Sequence, residues 1–227
     1  MRRPLRPALP LLVVALAALL AGCDAPRPVQ LAIGDAQLAG LYWEPAKRLS
    51  PAVLILPAPG QGKEAWIPLA TRLRKAGNGV LALELREPGS ARRDELLADV
   101  AAGFQFLREQ KKVDAARIGL LGADLGANAA LAFAAREPLA RTVALVSPGP
   151  DYAKLPSEPP MGDYGARALF LAAAEEDAGS ARTVRRLAET ALGPATTRFY
   201  PGAMPGRELA GSPGLAEDLL AFLRAQL

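Results

Sequence analysis

The sequence predicts a single α/β domain, a doubly wound, mostly parallel sheet of about eight strands with helices on both faces. Three observations lead there. Apolar runs of strand character alternate along the chain with stretches in which apolar residues recur at helical spacing, the order that strands joined by helical crossovers produce. About 200 residues follow an apolar N-terminal segment, enough for one well-buried core. No internal repeat divides them.

The strand segments are 29–33, 38–42, 53–56, 79–83, 118–121, 142–146, 168–172 and 197–200, with the first two short and expected to be antiparallel. Segment 66–76 carries Leu69 and Leu73 at helical spacing and stops at Gly77, and 94–110 sets Leu97, Val100, Phe104 and Leu107 on one stripe. Segment 127–136 is alanine-rich, while 181–192 starts behind a Ser180 cap and 213–226 behind a Ser212 cap. The stretch 148–167 carries five prolines and reads as a loop whose Tyr152, Met161 and Tyr164 are candidates to rim a pocket. Trp43 and Trp66 are expected to pack against the sheet. Sheets of this kind bind ligands at the carboxyl ends of their strands, so function is sought in the loops there.

At the N-terminus, Arg2, Arg3 and Arg6 precede an almost purely apolar run, 9–21, that ends Leu20-Ala21-Gly22-Cys23. These are the parts of a secretory signal. The run is too short to cross a bilayer core, with Pro7 just before it and Pro10 at its start. Its ending resembles a bacterial lipobox. That resemblance implies a signal peptide over 1–22, a lipidated Cys23 opening a short tether over 23–28, and a domain over 29–227. Cys23 is the only cysteine, so the chain has no internal disulfide, thiol nucleophile or cysteine metal site. Without the three arginines the formal charge falls from +4 to +1, which excludes nucleic acid as the expected partner. Asp24 resembles the signal that retains lipoproteins of enteric-type bacteria at the inner membrane. The expected location is therefore the cell envelope, lipid-anchored, with the periplasmic face of the inner membrane favoured and the outer membrane as the alternative.

Chemistry centres on Gly122-Ala123-Asp124-Leu125-Gly126, between an apolar strand and an alanine-rich helix. The spacing is that of a nucleophile elbow, G-x-S-x-G, with aspartate in place of serine. The chain contains no histidine, so the usual base near neutral pH is missing from every Ser-His or Cys-His scheme.

Over most of the mature chain the sequence resembles an α/β-hydrolase of the small, lidless, dienelactone-hydrolase-like type. Pro51 to Leu56 resembles the strand that leads to the oxyanion loop, and Ala168 to Asp177 the strand and loop that bear the triad acid. Tyr200 to Gly206 resembles the loop that bears the triad histidine. The resemblance places Asp124 at the nucleophile, Asp177 at the acid and Pro205 where the histidine would stand. It makes Ala58, Pro59 and Leu125 the oxyanion region, which needs a main-chain N–H from each side and loses one if Pro59 occupies the donor position.

Two classes of function follow. In the first, the protein is a catalytically inactive pseudo-hydrolase that binds a small molecule or a neighbouring envelope protein. In the second, it is a histidine-free hydrolase of small esters or lactones. An aspartate nucleophile would form an ester that no histidine is present to hydrolyse. A pair made of Asp124 with Asp177, Glu175 or Glu176 would be a glycosidase-like alternative, and the same carboxylates a metal site. No cofactor is expected. Ser90 and Ser147 are loop serines without a base. Asp124 also suits its place without catalysis, because aspartate tolerates positive φ and a helix N-terminus favours a carboxylate. That surrounding is expected to lower its pKa.

Overall fold

The computed structural model describes residues 25–58, 60–86, 92–158 and 160–227. The signal segment, Cys23, Pro59 and Ser90 lie outside these. The strands are β1 (Arg27–Ile33), β2 (Ala36–Trp43), β3 (Ser50–Leu56), β4 (Gly79–Leu83), β5 (Val113–Ala123), β6 (Ala140–Val146), β7 (Asp151–Tyr152), β8 (Leu155–Pro156), β9 (Leu169–Ala174) and β10 (Ala195–Tyr200). Eight of them form one sheet in the order β1-β2-β4-β3-β5-β6-β9-β10. β2 runs antiparallel to both β1 and β4, and every other neighbouring pair is parallel.

The helices are α1 (Ile67–Lys75), α2 (Arg93–Arg108), α3 (Leu125–Ala134), α4 (Pro160–Tyr164), α5 (Ala178–Thr190), α6 (Gly206–Leu209) and α7 (Pro213–Gln226). Because side chains of a strand alternate between faces, β3 sends Leu54 and Leu56 into one core and Val53 and Ile55 into the other. The first core is closed by α2, α3 and α5, the second by α1, α6 and α7. Trp43 and Trp66 are both buried in the second core, as their positions beside strand segments predict. No helix among the described residues is long and apolar enough to cross a membrane.

Three local expectations change. α5 begins three residues earlier than expected, and its cap is Asp177, whose carboxylate accepts the Ser180 N–H at 3.2 Å. Ser180 is buried within the first turn instead of capping it. The proline-rich stretch is not a plain loop: β7 and β8 form a hairpin, α4 follows, and Met161 and Tyr164 are buried. These elements span two to five residues each, too short to print a periodicity on the sequence.

One buried side chain of α3 fastens that hairpin. Asn128 donates to the carbonyl oxygens of Gly149 (2.9 Å) and Leu155 (2.6 Å) and accepts the Gly149 N–H at 3.1 Å. Its loss leaves buried main-chain groups unpaired, so Asn128→Ala destabilises the fold by about 3 kcal/mol. Urea unfolding measures this, and an unchanged midpoint would show that the hairpin is held by other contacts.

Candidate active site

Parallel strands deliver the site to one edge. Ala123 pairs with Val146, Val146 with Ala172, and Tyr200 with Ala174, so Asp124, Ser147, the segment 175–177 and the segment 201–206 all leave the sheet at its carboxyl end. Asp124 has φ 50° and ψ −117°, a conformation forced by the abrupt passage from β5 into α3. A side-chain carbon at Gly122 or Gly126 would lie within 2.2 Å of a backbone oxygen, which is why both positions are glycine.

The half-buried Asp124 side chain does not cap α3, the helix it precedes. It turns instead to the segment 201–206 that follows β10. There Pro205 is the cap residue of α6, and the first two main-chain N–H groups of that helix, at Gly206 and Arg207, lie close enough to the Asp124 carboxylate to favour its charged form. The approach is close enough that a Cβ on Gly206 would stand 2.6 Å from Asp124 Oδ1. The carboxylate thus faces amides that a helix start leaves outside the helix ladder.

The segment after β3 is tied to α6 as well. Ala58 is buried and its N–H points to Gln61 Oε1 at 3.4 Å, an oxygen that also accepts Trp66 Nε1–H at 3.1 Å. Gln61 Nε2 donates to the Arg207 carbonyl oxygen at 2.9 Å. Gln61 and Asp124 therefore hold α6 from two sides, one by its carbonyl and one by its amides. Leu125 is the first residue of α3, so its amide is one the helix ladder does not use.

Asp177 is brought near Asp124, and each carboxylate is felt by the Tyr152 hydroxyl. Burial, then the two carboxylates, raise the Tyr152 pKa. Glu175 and Glu176 are exposed, and their N–H groups donate to the Tyr200 and Gly202 carbonyl oxygens. Ser147 is fully buried with φ 48°, and its hydroxyl meets no partner among the described residues. No group of three histidine, cysteine, aspartate or glutamate residues able to hold a metal gathers among the described residues.

Asp124 corrects one expectation. Its pKa is not lowered but pushed up from 3.8 to about 6, mainly by burial, with the charge of Asp177 adding to it against the opposing amides of Gly206 and Arg207. The helix-start effect read from the sequence is real but comes from α6, and desolvation outweighs it. Gln61, Gly206 and Arg207 carry no chemical signature in the sequence. Gly206 is legible only in retrospect, as a glycine one residue past Pro205.

A carboxyl whose folded pKa lies above its unfolded value binds protons more readily when folded, so its contribution makes stability fall as pH rises between the two values and level off above them. Wild type therefore loses stability relative to Asp124→Asn between about pH 4 and pH 6. Urea unfolding across that range measures the difference; a constant gap would show an unshifted carboxyl.

No protein-family model matches the chain, and no curated protein matches it by sequence. Solved structures do. A dienelactone hydrolase from Anabaena variabilis superposes with a TM-score of 0.71 at 18% identity, covering 89% of this chain and 97% of that one. Est1E from Butyrivibrio proteoclasticus with bound ferulic acid gives 0.75 at 12% identity, covering 87% and 98%. The carboxylesterase EstE1, cloned from a metagenomic library, gives 0.70 at 17% identity, covering 89% of each. With the sheet order and the turn at Asp124, these likenesses establish that the chain has the α/β-hydrolase fold.

Proposed function

We propose that this protein is a lipid-anchored pseudo-hydrolase of the cell envelope, a hydrolase fold that binds a small molecule or an envelope protein at its carboxyl edge without turning it over. The observation that carries the reading is the engagement of Asp124 with the amides of Gly206 and Arg207. A nucleophile needs a free oxygen and a base; this one has its oxygens on a helix start and no histidine in the chain. The Ala58 amide, a candidate oxyanion donor, is likewise turned toward Gln61. Anchoring rests on the sequence: a signal over 1–22, lipidation of Cys23, and a tether over 23–28 that keeps the domain close to the bilayer, with Asp24 favouring the periplasmic face of the inner membrane.

A second reading is favoured by one observation. A half-buried carboxyl pushed up to about 6 titrates near the pH where a general base works best. On this reading Asp124 activates water toward a small ester or lactone, with no covalent intermediate for a histidine to resolve.

Hydrolysis of short p-nitrophenyl esters by wild type and Asp124→Asn separates the two. The pseudo-hydrolase reading predicts equal, background-level traces. Turnover in wild type that disappears in the variant would overturn it in favour of the second reading.

A further inference from the structure

The described chain enters at Ala25, at the end of the sheet opposite Asp124. Arg27 opens β1 and pairs with Tyr42, next to the start of β4, and β3 and β5 begin at Ser50 and Val113 on the same side. Ala25, Arg27, Arg74 and Lys112 line one groove there with Trp43 and Pro45. The surface around this entry is basic. Of its acids, Glu44 pairs with Lys112 at 2.8 Å, Asp114 with Arg117 at 2.8 Å, and Glu109 accepts from Gln105 at 2.8 Å. Lys47, Arg48 and Lys111 are exposed and pair with no carboxylate among the described residues. Lys47 and Arg48 belong to no helix, so a helix dipole does not account for them. Beside them Leu49 is 69% exposed with φ 53°, its carbonyl held by Arg117. The opposite end is net acidic: exposed Asp151, Glu175, Glu176 and Glu208 outnumber the exposed Lys154 and Arg207 around the site.

We infer that this basic end, with Lys47, Arg48, Leu49 and Arg27 foremost, docks on the headgroups of an anionic bilayer and turns the Asp124 edge of the sheet away from the membrane. The inference rests on the lipid anchor proposed above. A tether attached at Cys23 leaves only Asp24 between the lipidated residue and Ala25, so the basic end is the one within reach of the surface. Cations attract anionic headgroups while an exposed leucine beside them enters the interface. The acidic opposite end is repelled by the same charge. The Asp124 edge accordingly faces the water of the compartment and not the lipids of the membrane that holds the protein.

The lipidated mature protein tests this directly. Cys23 is its only cysteine and carries the lipid, so a thiol introduced by Ala46→Cys or Ala178→Cys is the one available for an environment-sensitive dye. Flotation with phosphatidylcholine vesicles reads the anchor alone. Vesicles of equal parts phosphatidylcholine and phosphatidylglycerol read the docking face. A dye at position 46 brightens on the anionic vesicles only, and the docked fraction relative to the undocked falls roughly fivefold for each of Lys47→Gln and Arg48→Gln. A dye at position 178 stays unchanged. Flotation with a dye at 46 indifferent to phosphatidylglycerol, or with a dye at 178 that responds, would overturn the docking face and leave the anchor standing. Failure to float on phosphatidylcholine would overturn the anchor, and the docking face with it.

Discussion

A Cβ at Gly122 would lie 2.1 Å from the carbonyl oxygen of Gly126, and one at Gly126 would lie 2.2 Å from that of Leu56, so β5 turns into α3 in a space that only hydrogen atoms fit. The turn sets φ and ψ of the residue at its apex and pushes that side chain out at the carboxyl edge of the sheet. Everything at the edge is arranged around it. The hairpin of β7 and β8 is tied to α3 by Asn128, Tyr152 of that hairpin faces Asp124 and Asp177, and α6 starts on the Asp124 carboxylate.

The same position shows two electrostatic effects in competition. Removing a carboxylate from water favours its neutral form, and amides aimed at it favour the charged one. Desolvation dominates at Asp124, so its pKa stands at about 6 even with two main-chain amides nearby. Asp177, at the start of α5, keeps an ordinary capping role and adds a second negative charge nearby. In a chain with the α/β-hydrolase fold and no histidine, the residue at the apex of the turn thus faces the start of α6.

The eight strands of the main sheet and the five longer helices were legible because each carries its own period: apolar runs for the inner strands, three-to-four spacing for α1 and α2. The elbow was legible because its glycines have a steric reason visible at fixed spacing. What escaped depends on contacts between distant residues. α6 has four residues and no pattern, and its partners Asp124 and Gln61 lie 82 and 146 positions away from the residues they hold. The sign of the Asp124 shift escaped for the same reason, because burial is a property of the assembled edge and not of the motif.

The central claim is that the Asp124 carboxyl and the first amides of α6 are one hydrogen-bonded unit. Carbon-detected NMR titration of Asp124, followed alongside the amide resonances of Gly206 and Arg207, measures it. A shared midpoint at about 6 in all three signals is the result expected. A carboxyl that titrates at its ordinary 3.8 while both amides stay still would contradict the account and return Asp124 to the list of free nucleophiles.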